Sequence, residues 1–146
     1  MPNKLRVVID TNVLVRAVSG RSLSSFVFDA LFNQKFILCI STEILLEYEE
    51  KLREIYDAEI ADLVISSLLM LPNIERIVIY FDLRLIVADA DDDKFVNCAF
   101  SSNADFLVSD DRHFRVLAKI DFPKIHSITY QQFRELLTTR SASNAS

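Results

Sequence analysis

The sequence predicts an α/β domain, a three-layer α/β/α arrangement around a central, mostly parallel sheet. Three observations carry that expectation. Short β-branched apolar runs, LRVVI at Leu5–Ile9 and FILCI at Phe36–Ile40, suit strands buried on both faces. Segments with helical apolar spacing separate such runs, and strands alternating with helices imply a parallel sheet covered on both sides. With 146 residues, 51% apolar and 25% charged, the chain has the length and composition of one globular domain.

The elements follow in order. The first strand, Leu5–Ile9, runs into Asp10-Thr11-Asn12, which reads either as an Asx turn or as an acid set at a strand end for a counter-ion. Ser22 is placed to cap a helix whose apolar residues Leu23, Phe26, Val27, Ala30 and Leu31 recur at i, i+3, i+4 spacing. After FILCI, Ser41 is placed to cap a helix with Ile44, Leu45, Tyr48, Leu52 and Ile55 on one face. Residues 58–71 predict another helix with Ile60, Leu63, Val64, Leu68 and Leu71 inward, and Pro72 helps to stop it. Residues 74–81 (IERIVIYF) suit a strand, and 83–87 suit loop or strand. The stretch ADADDDKFVNCA, 88–99, leads into a helix with Phe95, Val96, Ala99 and Phe100 inward. Residues 105–109 (DFLVS) predict a strand, 112–118 a short helix and 125–128 a last strand. Thr129 with Gln132 resembles a capping box ahead of a helix over 130–137. No internal repeat or linker is visible, so one domain, 1–140, is expected, with 141–146 as a polar, disordered tail.

Composition then narrows the function. A net charge of −5 does not announce a nucleic-acid binder, yet an acidic site filled by cations can accept phosphate. Gly20 is the single glycine, which excludes the Gly-rich dinucleotide and P-loop fingerprints. Cys39 and Cys98 lie in apolar runs and read as core residues, without disulfide or zinc spacing. The start MPNKLRVVID lacks a signal-peptide pattern, and no apolar run approaches the ~20 residues that span a bilayer, so a reducing cytoplasm is expected. His113 and His126 read as surface or supporting residues, too few to build a Ser-His-Asp set.

The acids carry the sharper signal. Asp10 directly follows the first strand, and Asp110 and Asp111 directly follow DFLVS. Glu47 lies in the second turn after the second strand, the member of the stripe Glu43, Glu47, Glu50, Glu54 nearest the apolar face. Asp91, Asp92 and Asp93 open a helix, where one acid suffices to cap and complement the macrodipole. In an open parallel sheet, ligands bind outside the carboxyl ends of the strands. Carboxylates gathered there would raise one another's pKa values unless a cation intervened. Hard divalent ions, Mg²⁺ or Mn²⁺, take oxygen ligands and activate water against phosphodiesters.

At these residues the chain resembles the PIN-domain nucleases, and within them the branch of toxin components of toxin–antitoxin pairs. The resemblance runs through VVIDTNVL, STEILLEYEEKL, DADDDKFVNCA, ADFLVSDDRHF and the closing ITYQQFREL, nearly the whole chain. It implies four catalytic, metal-holding acids. The D-T-N start selects Asp10 with Asn12 as polar neighbour, and the Ser-x-x-x-Leu-x-Glu pattern selects Glu47 with Ser41 opening the helix. The third acid falls on Asp92, set against Ala99, with Asp93 a rival one place on. The pattern L-V-T-x-D selects Asp111, with Ser109 in place of Thr and Asp110 at the variable position. The implied activity is metal-dependent cleavage of single-stranded RNA, with Mg²⁺ or Mn²⁺ as cofactor. Asn12 and Ser109 would orient ligands or contact phosphate, Glu47 would position or deprotonate the attacking water, and Arg16, Arg112 and Arg115 would meet the RNA backbone. An antitoxin protein and a homodimer are the implied partners, the helices around 44–55 and 58–71 being able to supply a dimer face. The alternative is a non-catalytic PIN-type module that binds RNA or protein. A haloacid-dehalogenase phosphatase is disfavoured because position 12 is Asn, and a receiver domain because no Lys follows FLVS.

Overall fold

The computed structural model describes residues 4–19, 25–80, 82–84 and 92–144. The expected cap Ser22, Leu23, Asp89, Asp91 and residues 85–87 lie outside the described residues. Five parallel strands form one sheet in the order β3-β2-β1-β4-β5: β1 (Leu5–Ile9), β2 (Phe36–Ile40), β3 (Ile74–Arg76), β4 (Phe106–Val108) and β5 (Ser127–Ile128). The helices are α1 (Thr11–Ala17), α2 (Phe26–Phe32), α3 (Thr42–Ile55), α4 (Ala58–Leu69), α5 (Asp93–Ser101) and α6 (Tyr130–Asn144), with a 3₁₀ helix over Arg112–Lys119. They complete the three-layer α/β/α arrangement that the alternation of elements predicts.

The central strand is largely apolar. Val7, Val8 and Ile9 of β1 are wholly buried, with β2 on one side and β4 on the other. The chain first builds outward from β1 through β2 to β3, then returns across the sheet to lay β4 against the free side of β1. That reversal opens a crevice at the carboxyl ends of β1 and β4. The register Ile9↔Val108 makes Asp10 and Ser109 the next opposed pair.

Helix ends are fixed by local chemistry. Ser41 Oγ accepts from Ile44 N at 3.3 Å and Asp57 Oδ1 from Ile60 N at 2.8 Å, capping α3 and α4. With one glycine in the chain, α2 and α5 close on Gln34 (φ 56°) and Asn103 (φ 54°) in the left-handed region. The bonds Lys35 N to Ala30 O and Ala104 N to Ala99 O, each 2.9 Å, complete those closures. Near the amino-terminal end of β1, Arg6 binds both Glu75 carboxylate oxygens and the Ser102 carbonyl. Its guanidinium holds the Glu75 carboxyl below its ordinary range. Among the described residues, no helix is long and apolar enough to cross a membrane.

Several expectations need correction. A helix, α1, occupies Thr11–Ala17 directly after β1, where no helix was expected before Ser22. Helix α4 buries Ala61, Ile65 and Leu68, while Leu63 is exposed. Its inward face is thus rotated from the expected one. Ile55 and Phe100, expected inward, are also exposed. The ladder at β3 ends at Arg76 instead of running through 81, although Ile77 N still reaches Ile40 O at 2.9 Å. The last helix continues past the expected end at residue 137 to Asn144.

Candidate functional site

The site is assembled at the crevice from the ends of four elements. Asp10 leaves β1 in an extended conformation (φ −61°, ψ 145°) and starts α1, its carbonyl accepting from Val13 N and Leu14 N. Its own N–H stays in the sheet, bonded to Val108 O at 2.9 Å. The side chain is therefore fixed at the strand end and is 6% exposed. Ser109, just beyond β4, donates its hydroxyl to Asp10 Oδ2 at 2.7 Å and accepts from Asp111 N at 3.0 Å. One hydroxyl thus sets the spacing between two acids that lie 101 positions apart.

Burial pushes the Asp10 carboxyl up to about 6 from an ordinary 3.8. The Asp92 and Asp111 charges add to the rise, while the Ser109 hydroxyl and the Thr11 N–H oppose it. Asp92 starts α5 and is itself buried, without using its side chain to cap that helix. Asp111 caps the 3₁₀ helix through His113 N at 2.9 Å. Ligand atoms of Asp92, Asp111 and His113 lie within 4.8 Å of one another. Phe95 and Phe114, each three residues after one of these acids, pack edge to face at 6.3 Å and lock α5 against the 3₁₀ helix.

Glu47 reaches the same region from α3. Tyr48 anchors that helix by donating its hydroxyl to the Ile9 carbonyl, at the end of β1. Glu47 then accepts from the Thr11 hydroxyl and from Lys94 Nζ, the latter at 2.7 Å. Its partners are chain neighbours of Asp10 and Asp93. Asp93 is buried in the first turn of α5. Asp110, on the rim of the cleft, has other partners: it accepts from Tyr130 N at 3.0 Å and from Arg16 at 2.9 Å, tying α6 to α1. A cleft of about 370 Å³ opens at the acids, lined by Asp10, Asn12, Arg16, Asp110 and Asp111. A groove of about 330 Å³ continues from the same Asp110-Asp111 turn past Arg115, Lys124 and Gln132.

A family model described as PIN domain matches residues 6–113. The chain belongs to the PIN-domain family. PIN domains are generally nucleases that use divalent metals, and the carboxylates of Asp92 and Asp111, with Asp10 near enough to feel both charges, suit a hard cation, which would offset the part of the Asp10 rise that those charges cause. No curated protein matches the chain in sequence. Among solved structures, VapBC2 from Rickettsia felis, bound to a DNA fragment from its promoter, is similar in fold, with TM-score 0.61 and 18% identity. That match covers 86% of this PIN domain's chain and 98% of the other. A DNA-bound VapBC from Salmonella typhimurium gives TM-score 0.56 at 15% identity, with the same coverage.

Of the residues proposed from sequence, Ser109 bonds both Asp10 and the Asp111 N–H, and Asp92 lies beside Asp111. Asn12 is exposed on the cleft, Arg112 is exposed beside Asp111, and Ser41 is buried as a helix cap. Arg16 is committed to Asp110 and to the Asn12 carbonyl. Two contributors were not foreseen, Lys94 on Glu47 and the Thr11 hydroxyl, and His113, read as a surface or supporting residue, stands against Asp92. The available signals were slight. His113 stands two places after an acid at a helix start, and Lys94 follows a run of three Asp.

Proposed function

We propose that this PIN domain is a metal-dependent endoribonuclease acting on single-stranded RNA, and the toxin of a toxin–antitoxin pair. One observation supports the nuclease reading above all: Asp10, Asp92 and Asp111, remote in sequence, gather at the crevice where the strand order reverses, where burial first, and the neighbouring Asp92 and Asp111 charges after it, raise the Asp10 carboxyl. The toxin assignment is supported by the motif resemblance across the chain and by two fold relatives that are both VapBC assemblies on DNA.

In this reading Asp10, Asp92 and Asp111 hold Mg²⁺ or Mn²⁺, with Glu47 completing the set. Such a cation supplies a Lewis acid that activates water and stabilises the leaving oxygen. The chain's own groups do the rest. Ser109 keeps the Asp10 carboxylate turned to the crevice. Glu47, steadied by Thr11 and Lys94, orients the attacking water and takes its proton. Asn12, on the cleft, and the exposed Arg112 beside Asp111 contact phosphate. Arg115 and Lys124 line the adjoining groove and give the RNA backbone a cationic path away from the acids. A homodimer fits the apolar residues left exposed on α3 and α4, among them Leu46, Ile55 and Leu63. Sedimentation of the isolated chain as a monomer would remove that part of the reading.

The test is a defined single-stranded RNA incubated with Mn²⁺, Mg²⁺ or chelator, with Asp10→Asn and Asp92→Asn beside the wild type. Cleavage should need the metal and fall by roughly a hundredfold or more in both variants, as when a charge-stabilising group is removed from an active site. Cleavage undiminished in both variants would mean a contaminating nuclease or a different centre.

A further inference from the structure

We propose that His113 is a nitrogen ligand of the same cation and tilts the site toward Mn²⁺ over Mg²⁺. The inference rests on the nuclease reading, since it takes the acidic centre to hold a divalent ion. His113 Nδ1 stands 3.2 Å from Asp92 Oδ2 and 3.4 Å from Asp111 Oδ1. Ligands lie about 2.1 Å from such an ion. Adjacent ligands of an octahedral ion are therefore about 3 Å apart, and opposite ones about 4 Å. The imidazole nitrogen already sits at adjacent-ligand separation from two carboxylates.

The ring is also held there by more than its own contact. His113 N–H is bonded to Asp111 Oδ1 at 2.9 Å, which fixes the start of the 3₁₀ helix. The Phe95–Phe114 contact then fixes that helix against α5, which carries Asp92. The ring is partly exposed, so an ion and a phosphate oxygen can reach its neighbourhood from solvent. Chemistry supplies the preference. Mg²⁺ takes oxygen ligands and keeps its waters, whereas imidazole suits first-row transition ions. A set of two or three carboxylates and one imidazole therefore discriminates where carboxylates alone would not. The competing role is a hydrogen bond that merely orients Asp92.

The two roles separate in His113→Asn, which retains an N–H donor for Asp92 and offers no imidazole. Titration calorimetry would measure Mn²⁺ and Mg²⁺ affinity of the full chain for wild type, His113→Asn and His113→Ala. Pulsed electron paramagnetic resonance would look for nitrogen hyperfine coupling to bound Mn²⁺. Wild type should show the coupling. Both variants should lose it and bind Mn²⁺ roughly tenfold more weakly or worse, with Mg²⁺ affinity barely changed. Mn²⁺ bound without nitrogen coupling in wild type, or as tightly by His113→Asn as by wild type, would overturn the ligand role. A wild type that binds neither ion would fail in a different way, removing the nuclease reading and this proposal together. Far-UV circular dichroism checks the fold of each variant, and wild type with His113→Asn decides the matter should His113→Ala unfold.

Discussion

Removing the charge at Asp10 should stabilise the metal-free protein at neutral pH. The carboxyl rises from 3.8 to about 6 in the fold, which corresponds to a penalty of roughly 3 kcal/mol on its ionised form. The folded state holds this proton more tightly than the unfolded chain. Stability from this group therefore falls as pH climbs from about 3.8 to about 6, and the whole penalty applies above that window. Asp10→Asn removes the charge, and its amide oxygen can still accept from Ser109. The net gain should be about 1–3 kcal/mol at pH 7.5, each kcal/mol raising Tm by about 2–4 °C in a chain of this size. At pH 4.0 most of the advantage should vanish, because Asp10 is then protonated in the folded wild type. The assay is thermal unfolding with chelator at both pH values, followed by Mn²⁺ at pH 7.5, which should stabilise wild type and not the variant. A loss of stability of equal size at both pH values would refute the reasoning, since it would mean that local donors already satisfy the carboxylate.

Three further outcomes are expected. Asp111→Asn should abolish RNA cleavage, whereas Asp110→Asn should chiefly lower stability, because Asp110 serves Tyr130 N and Arg16; comparable cleavage losses in the two would contradict the division of roles. Phe114→Ala should cost about 3–5 kcal/mol in urea unfolding, the usual range for emptying a buried aromatic site, and should weaken metal binding by releasing the 3₁₀ helix from α5. Glu75, held below its ordinary 4.5 by Arg6, contributes stability above that value that is lost as pH falls further. Glu75→Gln should flatten the stability profile on the acid side of 4.5, modestly because the pair is partly exposed, and an unaltered profile measured by chemical denaturation would show the pair to be inert.

The strands were legible because their apolar runs are short, β-branched and bounded by polar residues. The meeting of Asp10 with Ser109 was not readable, since it follows from the register of two parallel strands that are joined by nearly a hundred residues. Helix α1 was hidden by the D-T-N start, whose turn chemistry masks Asp10 as a helix cap, and by Val13 and Val15, which are weak helix formers. The face of α4 was ambiguous because Ile60, Leu63, Val64, Ile65, Leu68 and Leu69 wrap much of its circumference. At residues 74–80 the alternation continues past the ladder: Ile77 and Ile79 are half-buried, and Val78 and Tyr80 are exposed. The pairings of His113 with Asp92 and Lys94 with Glu47 were not readable because the partners lie 21 and 47 positions apart, and a single sequence carries no sign of such contacts.

The order of the strands bears on when the molecule can become active during synthesis. β1 emerges first, yet the neighbour that carries Ser109 and Asp111 to it is the fourth strand made. A ribosome-bound chain that has not yet passed residue 111 thus exposes Asp10 with no opposing wall. If the proposed nuclease reading holds, topology withholds the acidic centre until that later strand is laid down.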